Sequence, residues 1–157
     1  MAEVTPTIQM RKLPAMAKFA MRVQVTLLRH NLLGALGDEI MAITVTGRKS
    51  GKQYSTPIGY LRDGESIIAL TMGGASNWYK NVLATGRATL EIKGQPMAVK
   101  AGPITDQADR ERIFELYQRE RRRNFRRLFG VPCDSSVEDL AQALATRVFV
   151  RFTAADK

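Results

Sequence analysis

Short apolar runs, each closed by turn residues, fill the middle of this chain and leave room for little but strands. Ile40-Met41-Ala42-Ile43-Thr44-Val45-Thr46 and Pro57-Ile58-Gly59-Tyr60-Leu61 flank the loop Gly47-Arg48-Lys49-Ser50-Gly51-Lys52. Both runs are short and rich in branched and aromatic residues, which predicts strands over about 39–46 and 54–62. Arg62-Asp63-Gly64-Glu65 carries an Asp-Gly hairpin signal. Strand three follows over Ser66–Met72, and Gly73-Gly74-Ala75 break it. Ser76 is predicted to cap a short helix from Asn77 to Thr85, which Gly86 ends. Strands four and five are predicted over about 88–93 and 96–104, with Gly94-Gln95 as the turn between them. Arg147-Val148-Phe149-Val150-Arg151-Phe152 reads as a sixth strand. Six mainly antiparallel strands with helices inserted late predict an α+β domain around a small, closed or nearly closed barrel.

Helical patterns flank and interrupt the strands. Residues 1–12 read as a tail and 13–157 as a single domain. Pro14 near a first turn, Gly34 and Gly37 near an end, and Met16, Ala20, Val23 and Leu27 at helical spacing predict an amphipathic helix over 13–36. Such a helix packs on its domain or lies against a membrane surface. His30 at its end reads as structural. A longer helix is predicted from Asp106 to Phe129. Ile113, Phe114, Tyr117, Phe125, Leu128 and Phe129 form its apolar side, and Arg119 to Arg127 give it a basic run. Ser135-Ser136-Val137-Glu138 starts one more helix with a capping box.

With 157 residues, 45% of them apolar, the chain can bury a core within one domain. No apolar run reaches the ~18 to 20 residues of a membrane span, and the N-terminus has no uninterrupted apolar stretch of a secretory signal. Cys133 has no partner for a disulfide, and with His30 alone it cannot assemble a metal cluster. A cytoplasmic protein without a bound metal is expected. The net charge of +9 favours an anionic partner, whether nucleic acid, an acidic membrane surface or a polyanionic cofactor.

The loop 47–52 concentrates that charge on chemistry suited to anions. Glycine allows backbone N–H groups to approach a ligand closely. Outward N–H groups beside Arg and Lys make an anion-binding concavity. A seat for a phosphate or carboxylate on a β-scaffold is one reading, and a solvated basic hairpin turn is the other. It is not a Walker A loop, because Pro57 and a strand follow it and no helix does.

Several motifs in order resemble one family. Ile43 to Lys52, then Pro57, Leu61-Arg62-Asp63-Gly64, Gly73-Gly74, Trp78-Tyr79-x-Asn81 and Arg87-Ala88 look like the deazaflavin-dependent nitroreductases. These belong to the flavin and deazaflavin oxidoreductases of split β-barrel fold. The likeness is strongest over about residues 38–104. It implies coenzyme F420, whose tail carries a phosphate and a polyglutamate, with FMN as the alternative because related split barrels bind it. It further implies that Arg48, Lys49, Ser50, Gly51 and Lys52 seat the tail. By the same likeness Thr71, Met72, Gly73 and Gly74 approach the ring, and Pro57, Trp78, Tyr79 and Asn81 complete the cofactor site. Thr71 and Tyr60 are then candidate catalytic hydroxyls, since a donor near a developing oxyanion assists hydride transfer.

The chain departs from the family pattern on the substrate side. Gly59 stands where a barrel tyrosine is expected, and Gln53-Tyr54 follows the loop where many members have Pro-Arg. The expected activity is hydride transfer from reduced F420 to a small organic acceptor of the quinone, nitroaromatic or enone type. The competing readings are a non-catalytic binder of a fatty acid or other anionic amphiphile, with peripheral membrane contact, and an FMN-dependent reductase. No recognised nucleic-acid motif supports a nucleic-acid partner. A homodimer fits this barrel class.

Overall fold

The computed structural model describes residues 39–72 and 76–155. The predicted tail, the helix over 13–36 with His30, and Gly73 and Gly74 lie outside the described residues. The strands are β1 (Ile40–Thr46), β2 (Gln53–Gly59), β3 (Leu61–Asp63), β4 (Ser66–Met72), β5 (Arg87–Ile92), β6 (Gln95–Pro103) and β7 (Arg147–Ala154). Helix α1 (Asn77–Thr85) joins β4 to β5. Helices α2 (Gln107–Glu120), α3 (Phe125–Phe129) and α4 (Val137–Ala145) lie between β6 and β7.

The strands form one antiparallel sheet in the order β2-β1-β5-β6-β7-β4-β3. Seven strands stand where six are expected, because the second run is divided at Tyr60. Gln53–Gly59 pairs with β1, whereas Leu61–Asp63 pairs with β4 at the opposite edge of the sheet. Tyr60 alone links the two edges. A chain can leave one edge of a sheet and join the other within one residue only if the sheet is rolled until its edges meet. The Tyr60 N–H donates to Glu39 O at 2.9 Å and fastens this seam. The fold is therefore a split β-barrel of the α+β class.

The barrel has two apolar sides. Met41, Ile43, Val45, Ile67, Ala69, Leu90, Val99, Val150 and Phe152 fill its interior together with Trp78, Tyr79 and Val82 of α1. Their sequence neighbours Ile68 and Phe149 point outward, as the alternation of a strand requires. There they meet Ile113, Phe114, Tyr117, Phe125, Phe129 and Leu144 in a second core. Tyr117, Phe125 and Phe129 are thus packed residues. The hydroxyl of Tyr117, which is 3% exposed, is pushed far above its usual pKa by burial.

The predicted long helix does not run to Phe129. It stops at Glu120, and a 3-10 turn over Arg122–Asn124 precedes α3. The aromatic contacts explain the break. A continuous helix would carry Phe129 about 18 Å along the axis from Tyr117, yet their rings lie 5.5 Å apart. Folding back brings Phe129 within 4.9 Å of Phe114 as well. The turn between β5 and β6 is Lys93-Gly94, one residue earlier than expected. Both have positive φ (52° and 78°), the signature of a type I′ hairpin.

An ion ring ties the β3–β4 hairpin to the helical layer. Arg112 donates to both oxygens of Asp63 at 2.9 and 2.8 Å and reaches Asp109 at 2.9 Å. Arg151 of β7 reaches Asp109 at 2.6 Å and Asp63 at 3.2 Å.

Candidate functional site

The basic loop is tightly knotted at the tip of the β1–β2 hairpin. Gly47 N donates to Lys52 O at 2.7 Å, and Gly51 N to Gly47 O at 2.9 Å. Lys52 N donates to Ser50 Oγ at 3.2 Å. Arg48 N donates to Asn81 Oδ1 at 3.1 Å. Four of the six loop amides are therefore already bonded, three within the loop and one to α1. The consecutive amides of Lys49 and Ser50 take no such bond among the described residues. These two N–H groups, with the exposed side chains of Lys49 and Lys52, are the donors the loop offers to an anion.

Two glycines make this shape possible for different reasons. Gly51 has φ of 70°, which side chains disfavour. Gly47 is buried, and a Cβ there would stand 2.7 Å from both Ser50 Oγ and Tyr54 Cε2. The ring of Tyr54 closes over the loop, and its hydroxyl meets Ser50 Oγ at 3.0 Å. Sequence reading noted Tyr54 only as a departure from the family pattern. The available signal was a glycine that leaves space for an aromatic seven residues later.

Helix α1 holds the loop from behind. Asn81, 6% exposed, accepts from Arg48 Nη1 at 2.8 Å as well as from the Arg48 amide. The structure therefore joins two predicted site residues to each other. At the start of the same helix Ser76 occupies the cap position, but its side chain makes no cap bond. It meets the Thr71 hydroxyl at 2.6 Å instead. Thr71 is 4% exposed and paired across the sheet with Val148. The helix rises about 7.5 Å between Ser76 and Asn81, so Thr71 and the loop lie near opposite ends of α1's first turns.

The other predicted residues take distinct places. Trp78 (9% exposed) and Tyr79 (8%) pack in the barrel core, with the Trp78 ring 6.4 Å from Phe152 and 6.1 Å from Tyr79. Pro57 sits opposite Ala42 on β2, an edge strand, where its missing N–H is tolerated. The backbone of Met72 ends β4 opposite Arg147. Tyr60 is not brought to the loop. It lies at the far end of β2, about 20 Å along the strand, and its ring is 4% exposed. A groove of about 330 Å³ adjoins the loop's stem, lined in part by Thr46, Gln53, Thr85, Arg87 and Thr89.

A family model described as F420H(2)-dependent quinone reductase matches residues 19–127. The chain belongs to this family. It is accordingly an F420-dependent oxidoreductase. Solved structures share its fold. One is an F420-H2 dependent reductase, FDR-A, with 19% identity and a TM-score of 0.51, covering 72% of this chain and 93% of the other. A FAD-binding protein from Mesorhizobium loti has 12% identity and a TM-score of 0.53, covering 92% and 91%. A structure described as a domain-swapped dimer has 18% identity and a TM-score of 0.52, covering 93% and 98%. The chemistry of the loop is compatible with an anionic group: two amides without a bond among the described residues and two lysines, with no carboxylate in the loop itself.

Proposed function

We propose that this F420-dependent reductase passes hydride to a small organic acceptor of the quinone, nitroaromatic or enone type. The observation that carries the cofactor seat is the pair of amides at Lys49 and Ser50 that take no bond among the described residues, set between two lysines on a loop whose other amides are committed. When bound, reduced F420 supplies the hydride.

The chain's own residues bind and orient. Lys49, Ser50 and Lys52 hold the anionic tail. Arg48 adds charge, with one guanidinium nitrogen tied back to Asn81. Gly51 and Pro57 set the shape of the hairpin that carries the loop. By the family likeness the segment that begins at Thr71 would approach the ring, and the Thr71–Ser76 bond fixes the end of β4 against α1. Trp78 and Tyr79 anchor α1 in the core, so that Asn81 keeps its place. Tyr60 secures the barrel seam and lies remote from the loop. A second copy of the chain completes the reading, since one similar structure is described as a domain-swapped dimer. Among the described residues no helix is long and apolar enough to cross a membrane, and we place the enzyme in the cytoplasm.

Fluorescence titration with F420, run beside FMN, tests the cofactor seat. Affinity for F420 should exceed that for FMN and fall when Lys49 and Lys52 become Ala. Unchanged affinity in that variant would remove the loop from the site. Oxidation of reduced F420 in the presence of quinones, nitroaromatics and enones then ranks the acceptors.

A further inference from the structure

Tyr54 is a half-exposed aromatic beside a loop of cations. Its ring closes on the space left by the missing side chain of Gly47. Val45, its partner across the β1–β2 pair, is buried. The edge strand and the glycine thus hold the ring over the loop, and its hydroxyl is delivered to Ser50 Oγ at 3.0 Å.

The two hydroxyls leave one proton over. Ser50 Oγ accepts from Lys52 N at 3.2 Å. Neither hydroxyl has any further partner among the described residues. Together they bring two protons, and the bond between them uses one. The second proton stays open whichever way that bond runs. A phenol is a stronger acid than an alcohol and therefore the better donor to an anion. In the favoured arrangement Ser50 donates to Tyr54 Oη, and Tyr54 donates outward. The Lys52 amide, the Ser50 hydroxyl and the Tyr54 hydroxyl then form a chain in which each bond strengthens the next. Ser50 also carries one of the two amides that take no bond among the described residues. No acidic residue occurs from Ile40 to Arg62, so the hairpin offers no carboxylate for these donors.

We propose that Tyr54 is a further binding residue, whose hydroxyl donates to a phosphate oxygen held at the amides of Lys49 and Ser50. The inference deepens the cofactor seat proposed above and rests on it. The ligand class is a phosphate ester. Phosphate oxygens point in several directions and can take two amides and a hydroxyl together, whereas a carboxylate offers two oxygens in one plane. The competing role for Tyr54 is that of a fastener, which holds Ser50 in place and never meets the ligand.

The test is fluorescence titration of the full chain with F420, comparing the parent with Tyr54→Phe, Ser50→Ala and the double variant. Tyr54→Phe keeps the ring over Gly47 and removes only the hydroxyl. Loss of a hydrogen bond to a charged group should weaken F420 binding by about tenfold or more. Ser50→Ala keeps the amides and leaves Tyr54 free to donate, so its loss should be smaller. The double variant, with no hydroxyl left, should bind most weakly. Inorganic phosphate should displace F420 from the parent, and acetate at equal ionic strength should not. Equal losses in all three variants would make Tyr54 a fastener only. Phosphate that displaces F420 no better than acetate would overturn the ligand class. Full affinity in Tyr54→Phe, alongside weakened binding in Lys49→Ala/Lys52→Ala, would keep the loop as the seat and remove Tyr54 from it. No F420 binding by the parent would overturn the seat and this inference together.

Discussion

Asn81 Oδ1 accepts two hydrogen bonds from Arg48, one from its amide at 3.1 Å and one from Nη1 at 2.8 Å. One carbonyl oxygen, 6% exposed on α1, therefore sets both the backbone and the side chain of the first cation in the loop. Replacing Asn81 by Ala leaves these donors without their partner, which costs about 1–2 kcal/mol. We expect a lower urea midpoint and weaker F420 binding. Arg48→Ala alone should cost less stability, because the Arg48 amide keeps its acceptor. In the double variant the losses should not add, since both substitutions break the guanidinium bond. Additive losses in a double-mutant cycle would mean that Asn81 acts on the cofactor independently of Arg48.

Gly47→Ala tests the close packing of the loop. The new Cβ would stand 2.7 Å from Ser50 Oγ and Tyr54 Cε2, so the ring must swing away. Overpacking of this kind costs roughly 1–3 kcal/mol. It should also disturb the Lys49 and Ser50 amides and weaken F420 binding. Tyr54 is 50% exposed and can be shortened without opening a cavity. Gly47→Ala/Tyr54→Ala should therefore regain part of the lost stability. If the double variant is no more stable than Gly47→Ala, the Tyr54 ring is not what constrains Gly47.

Much of this arrangement was legible beforehand because it is local. The loop and its flanking strands, the helix ended by Gly86 and the succession of strands along the chain follow from short-range turn and patterning rules. The expected fold class and cofactor family agree with the rolled sheet and the family match. What escaped is non-local. Nothing in Pro57-Ile58-Gly59-Tyr60-Leu61 says that pairing changes sheet edge at Tyr60, since that depends on where β1 and β4 lie. Phe125 and Phe129 keep helical spacing with Tyr117, yet the chain folds back so that all three meet. Ser76 has the right type and place for a cap, but Thr71 offers its hydroxyl a nearer partner. The Arg48–Asn81 bond spans 33 residues and has no sequence signature.

The ion ring predicts acid sensitivity. Arg112 beside Asp63, and Arg151 beside Asp109, hold both carboxyls below the usual carboxylate range, Asp109 at about 2. A depressed folded-state pKa gives stability that is present above the unfolded value of 3.8 and lost as the pH falls toward about 2. For Asp109 the effect is about 2 kcal/mol at most, reduced by solvent at a side chain that is 24% exposed. Asp109→Asn should lower the urea midpoint at about pH 6, and the gap to the parent should close by about pH 2. A gap that stays constant across this range would show that the charge of Asp109 contributes nothing.

Thr71 separates two roles for a buried hydroxyl at the end of β4. Its Oγ1 meets Ser76 Oγ at 2.6 Å and is nearly inaccessible, which makes it a fastener between β4 and α1. Thr71→Val keeps the shape and removes that bond, and Ser76→Ala removes it from the other side. Each should lower stability by about 1 kcal/mol and change F420 affinity and turnover to the same modest degree. The pair should be non-additive, because either substitution alone breaks the one bond. A hydroxyl that donated to the acceptor during hydride transfer would behave differently. Thr71→Val would then lower kcat with little change in F420 affinity, Thr71→Ser would retain activity, and Ser76→Ala would leave kcat intact. Steady-state kinetics on these variants, with F420 affinity measured in parallel, decides between fastening and catalysis.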